Sequence, residues 1–175
     1  MSNQVGAGHG ACSRRARPPG ALHAWVVCAV LAVTIIVPGG PGPSAEPSIR
    51  LAVITHLGVP VKSLSAPELS SIFTRATRNW KDGSAIRPIN LPPGSAERVA
   101  FDRAALRMEP EQSAQFWVDR MVRGEESAPK AIAKDVIVLR LVANLAGSIA
   151  YIPEDKVDDK VRVVAFVRDG KVVSP

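Results

Sequence analysis

The stretch "SLSAPELSSIFTRATRNWKDGSAIRPIN", residues 63–90, decides how the rest of the chain is read. It opens with the local signals of a helix start. Ser65 stands at the N-cap position, Pro67 lies in the first turn, and Glu68, three residues after Ser65, completes a capping box. Leu64 and Leu69 flank the cap as a hydrophobic staple. The helix ends near "TRATRNWKDGS", Asp82-Gly83 makes a turn, and "AIRPINL" (85–91) reads as a strand.

The same alternation continues outward in both directions. Upstream, "IRLAVITH" (49–56) is β-branched and apolar, a buried strand. Downstream, "LPPGSAERVAF" (91–101) leads through Pro-Pro-Gly-Ser into a helix expected over 96–107, with Val99, Ala100, Phe101 and Leu106 as its apolar positions. A further helix runs from Pro110 to Gly124, and Phe116, Trp117 and Met121 at helical spacing are its core residues. "EESAPK" (125–130) is loop. "DVIVLRLVANLAG" (135–147) is β-branched like a strand, but its length and its Asn-Leu-Ala-Gly ending favour a helix capped at Gly147. "SIAYIP" (148–153) and "VRVVAFV" (161–167) are short strands, and residues 168–175 form a turn and a tail. Strands alternating with helices define an α/β domain.

The N-terminal quarter differs in kind. Arg14, Arg15 and Arg17 precede the uncharged run "ALHAWVVCAVLAVTIIV" (21–37), which "PGGPGPSAEP" then breaks. This is the layout of a secretory signal, with a cut after Ala45, or of an uncleaved membrane anchor through residues 21–37. Residues 1–45 are thus assigned to leader and linker, and 46–175 to the α/β domain. Export to the periplasm or another extracytoplasmic space follows from either form. Both cysteines, Cys12 and Cys28, fall in the leader. The exported part therefore has no disulfide, no thiolate nucleophile and no cysteine metal site. The three leader arginines, with no acid before Glu46, supply half of the formal net charge of +6. What is left carries no nucleic-acid footprint.

Catalysis finds no support. There is no Gly-x-Ser-x-Gly elbow, no phosphate-cradling loop with lysine, and His56 is the only histidine outside the leader. "EDKVDD" (154–159) lacks EF-hand spacing and reads as a solvated loop. No metal and no cofactor is implied. The chemistry that can be read lies at Gly94, Ser95, Ala96 and Arg98. A helix N-terminus offers unpaired N–H groups and partial positive charge to an anion, Ser95 could donate a hydroxyl, and Arg98 could add a charged contact. Against this stands the ordinary alternative, Ser95 as an N-cap and Arg98 as an exposed helix residue. Glu97 favours that alternative, because a carboxylate 4 Å from an anion at an effective dielectric near 20 costs about 4 kcal/mol. Arg75 and Arg78 beside Trp80 read either as a cationic rim or as solvated arginines with Trp80 packed under the turn.

The order of these features resembles the phosphate-binding proteins of ABC importers, substrate-binding proteins of the periplasmic type 2 fold. That family has a helix ending in Ile-Phe-x-Gly, a Trp-x-Asp/Asn turn, a strand, Ser-Gly-Thr opening a helix with Phe six residues after the Ser, and later Gly-x-Ile-Gly-Tyr. Ile72-Phe73, Trp80, Asp82, Ser95, Phe101 and Gly147-Ser148-Ile149-Ala150-Tyr151 match it in order. The departures are Arg75 for the glycine after Ile-Phe, Ala96-Glu97 for Gly-Thr, Ala150 for the second glycine, and Asn90-Leu91 where an arginine often stands. The resemblance implies a single lobe with a mixed sheet flanked by helices, in a family whose full-length members clamp an oxyanion between two lobes. It implies phosphate or another oxyanion as ligand. It also implies a second lobe, a homodimer partner or an ABC importer as the surface that would close the cleft. The other role open to such a lobe is a protein-interaction or sensory module that has lost the anion.

Overall fold

The computed structural model describes residues 49–175, which fall within one compact unit. The signal or anchor expected at 21–37 lies outside the described residues. Among the described residues no helix is long and apolar enough to cross a membrane.

Ten elements follow one another as β1 (Leu51–His56), α1 (Ala66–Phe73), β2 (Arg87–Asn90), α2 (Ala96–Phe101), α3 (Pro110–Val122), β3 (Lys130–Ala131), α4 (Asp135–Asn144), β4 (Ser148–Pro153), β5 (Val161–Arg168) and β6 (Lys171–Val173). The strands make one mixed sheet in the order β3-β2-β4-β1-β5-β6. β2 runs parallel to β3 and β4, whereas β1 is antiparallel to both β4 and β5, and β5 is antiparallel to β6. Leu51 pairs with Pro153 and Val53 with Tyr151, and a bulge interrupts the β1–β5 register at Val53/Ile54. β1 and β4 are buried along nearly their whole length on both faces, which is why both read as continuous apolar runs.

Local chemistry explains the helix starts. The Ser65 N–H and hydroxyl donate to the Glu68 carboxylate at 2.8 and 2.6 Å, closing the expected capping box on α1. At α3, Pro110 occupies the first turn and Gln112 accepts from the Glu109 N–H at 2.9 Å. α4 settles the ambiguous stretch as helix and packs on β4, β1 and β5. It stops at Asn144, three residues before Gly147, because the Asn144 amide turns back onto the Arg140 carbonyl at 2.8 Å and Leu145 goes extended.

Four expectations need correction. The helix expected over 96–107 is α-helical only to Phe101. It then widens into a π-type turn, Asp102–Leu106, that ends at Arg107 with φ 56 and packs against α1. The tail after residue 168 is a strand, because Asp169-Gly170 turns the chain back so that Val172 pairs with Val167. The loop at 125–130 ends in the two-residue edge strand β3. Met121 is not core: it is 64% exposed, and α3 fully buries only Ser113, since this helix lies on the outside of the domain. Phe116 and Trp117 instead meet edge to face at 5.0 Å, with the Arg120 guanidinium over both rings.

Candidate functional site

The motif residues turn out to be framework. Phe73 from α1, Phe101 from α2 and Tyr151 from β4 form one buried aromatic cluster. Phe101 stacks on Tyr151 at 3.9 Å, and Phe73 meets Phe101 edge-on at 4.7 Å. Such pairs add about 0.5–1.5 kcal/mol each beyond the area they bury. The Tyr151 hydroxyl donates to Asn90 Oδ1 at 3.1 Å and accepts from the Leu91 N–H at 3.4 Å, tying β4 to the end of β2. Burial raises the Tyr151 pKa, so the ring is a neutral strut.

Trp80 is the second strut. It is buried, and its Nε1–H donates to the Gly147 carbonyl at 3.0 Å, an oxygen that also accepts from the Arg87 N–H. Gly147 has φ 76, and a Cβ there would run into the Ala85 carbonyl oxygen. Three separated pieces of sequence, at residues 80, 85–87 and 147, are locked together at this point.

The segment 91–101 is held above this framework. Ser95 N–H donates to the Pro92 carbonyl at 3.2 Å, and Gly94 takes the left-handed conformation with φ 80 and open space around it. Ser95 Oγ accepts from the Arg98 N–H at 3.2 Å, so Ser95 is an N-cap. The N–H groups of Ala96 and Glu97, in the first turn of α2, have no acceptor within the helix.

Arg98 is neither an exposed helix residue nor an outward-facing cation. Its Nε donates to both oxygens of Asp102 at 2.8 Å, Nη1 to the Leu91 carbonyl at 3.4 Å, and Nη2 to Ser113 Oγ at 3.2 Å. The side chains of this pair are 9% and 3% exposed. Burial holds the Asp102 carboxyl above its ordinary value against the pull of the adjacent guanidinium. The pair backs a small hollow of about 230 Å³ behind Gly94, walled by Trp117 and Pro129. Residue spacing could have exposed this pair, since Arg98 and Asp102 stand at i, i+4. Ser113 carries no comparable signal in the sequence.

The open side of the same loop carries negative charge. Glu97 sits half-buried in the first turn of α2, and Asp135 occupies the first turn of α4. Burial raises the Asp135 pKa, and the Glu97 carboxylate pushes it further the same way. Glu97 also shares a broad hollow with Arg50, Glu154 and Asp155. Thus the two helix starts at this end already carry interacting carboxylates. Arg75 and Arg78 are no free rim either, because both pair with Glu126, at 2.7 and 3.2 Å. The His56 ring accepts from the Gly58 N–H at 3.0 Å, closing a turn. Among the described residues no group of three His, Cys, Asp or Glu could hold a metal.

The architecture is thus that of an α/β domain, a mixed sheet with helices on its faces and a helix-start loop at one end. Solved structures of similar fold include phosphate-binding proteins. A protein described as a phosphate ABC transporter substrate-binding protein from Clostridium perfringens, solved with bound phosphate, matches with a TM-score of 0.54 and 25% identity, over 67% of this chain and 44% of that one. An ABC-type phosphate transport receptor from Vibrio cholerae matches at 0.53 and 18% identity, over 67% and 46%. PstS from Borrelia burgdorferi matches at 0.52 and 17%, over 67% and 47%. The chain therefore resembles phosphate ABC transporter substrate-binding proteins and spans less than half their length, as one lobe of such a receptor does. These neighbours are binding proteins rather than enzymes. No protein-family model and no curated protein matches the chain.

Proposed function

We propose that this chain is an exported, non-catalytic module built on one lobe of the phosphate-receptor fold, and that it acts by recognising a partner rather than by holding free phosphate. One observation carries the reading: at the helix-start loop the cation is turned inward, and the charges in the first turns of the two helices are carboxylates. Arg98 is committed to Asp102, Leu91 and Ser113, while Glu97 and Asp135 occupy the first turns that would face an anion. An oxyanion placed there would gain the N–H groups of Ala96 and Glu97 and lose more to the adjacent negative charge.

The second reading keeps phosphate or another oxyanion at Gly94, Ser95, Ala96 and Arg98. It is favoured by the open space at Gly94 and by the unpaired first-turn N–H groups. A second lobe, a second copy or an ABC importer would then have to close the cleft, because a half-exposed anion is held weakly. Calorimetry of the Pro43–Pro175 segment with phosphate and with sulfate separates the two. Silence in the wild type up to millimolar anion, with binding gained in Glu97→Thr, is the expected result. Saturable heat in the wild type at micromolar anion would overturn the partner reading in favour of the receptor.

A further inference from the structure

A separate cavity lies elsewhere on the domain. It measures about 410 Å³ and lies between the loop before α1, the exposed side of α1 and the turn that follows it. It shares no lining residue with the hollow behind Gly94. Its floor is apolar, formed by Leu64, Ile72, Trp80 and Ile86, all of them buried. Its size falls within the range that takes a small organic molecule, and an apolar floor with a few polar groups at the mouth is the usual composition of such sites.

The mouth is cationic. Lys62 stands on the loop and Lys81 on the turn, both exposed. Neither has a carboxylate within ion-pair distance among the described residues, and the Lys81 charge acts on Glu68 only at longer range. The one acid at the cavity, Glu68, is turned to the helix cap, where its Oε2 receives both the Ser65 N–H and the Ser65 hydroxyl. Ser71 likewise spends its hydroxyl proton on the Pro67 carbonyl at 3.0 Å. With two lysines against one capped carboxylate, the net charge at this cavity is positive.

We infer that the cavity between the 60–64 loop, α1 and Trp80 is a binding site for a small amphipathic anion, an aliphatic body on the Leu64–Ile72–Trp80 floor and a carboxylate between Lys62 and Lys81. The aliphatic part would leave water for buried apolar side chains, at about 0.8 kcal/mol per methylene. The head would meet two ammonium groups that can reach it without leaving solvent.

Decanoate, below its micelle concentration, is the probe, titrated into the Pro43–Pro175 segment and followed by calorimetry. Decyltrimethylammonium serves as the charge-reversed control and acetate as the control without an aliphatic body. Decanoate should bind one to one, with the cation and acetate at least tenfold weaker. Lys62→Glu should weaken decanoate at least tenfold, while Lys62→Arg retains it. Ser71→Leu, which fills the cavity from the solvent side of α1, should abolish binding with thermal stability unchanged. No decanoate binding, equal binding of the cation, or decanoate binding indifferent to both Lys62→Glu and Ser71→Leu would overturn the assignment.

Discussion

Replacing Asp102 by Ala removes the only carboxylate among the described residues that answers the Arg98 guanidinium, while leaving its Leu91 and Ser113 contacts in place. The Arg98 side chain is 9% exposed, so the charge cannot recover its water without the π-type turn opening. Leaving one partner of a buried pair uncompensated costs about 3–5 kcal/mol. Set against a total stability of about 5–15 kcal/mol for a domain, this is a large fraction. In a urea melt at neutral pH the midpoint should fall by roughly 2 M, taking a slope of about 1–3 kcal/mol per molar. The double variant Arg98→Met/Asp102→Leu removes both charges and keeps the volume, and should recover most of the loss. Arg98→Met alone leaves a buried carboxyl whose native pKa is raised by burial and no longer pulled down by arginine. Its native state then binds more protons than its unfolded state, so its stability is highest below the ordinary carboxyl value and declines as pH rises through the raised one. An Asp102→Ala cost below about 1 kcal/mol, or a double variant as unstable as the single, would refute the claim that Arg98 is sequestered.

Other positions give sharper, smaller tests. Gly147→Ala should cost at least about 2 kcal/mol in a thermal melt, more than Gly170→Ala, since both have positive φ but only Gly147 faces a backbone oxygen; equal costs would dismiss the close approach. Arg75 holds φ 63, where the phosphate receptors it resembles place glycine, so Arg75→Gly should exceed Arg75→Ala in stability by about 1 kcal/mol. Both variants lose the Glu126 pair, and no difference between them would show that the strain is absent. Glu68→Ala should lose about 1 kcal/mol at neutral pH through the α1 cap. Hydrogen bonds from Ser65 hold the Glu68 pKa below its ordinary value, so this contribution is present above that value and fades as pH falls through the native one. Wild type and variant should therefore converge as acid protonates Glu68, and a gap unchanged from neutral to strongly acidic pH would contradict the cap.

Much of the scaffold was legible because its signals are local. The Ser65–Glu68 cap lies within one helical turn, and the apolar run at 51–56 needs only its own composition to be read as a buried strand. The edge strand at Lys171–Val173 was not legible, because three residues become a strand only when Val167 and Arg168 stand beside them. Met121 misled for a related reason: helical spacing shows that residues share a face, and packing alone shows whether that face is covered.

At the candidate site the division is sharper still. The sequence by itself determined that an α/β domain follows a basic and then apolar stretch, that Ser95 begins a helix, and that Glu97 stands where an anion would be least welcome. It also preserved, in Phe73, Trp80, Phe101, Gly147 and Tyr151, the pattern of a phosphate-receptor lobe. Only the tertiary structure decided that those residues are struts and that Arg98 turns inward. It also decided that Glu97 and Asp135, 38 positions apart by number, repel across the same end of the sheet. The physical reason is range. Caps and strand composition act between neighbours in the chain, whereas the direction of a long charged side chain depends on which buried partners the fold brings within 3 Å of it.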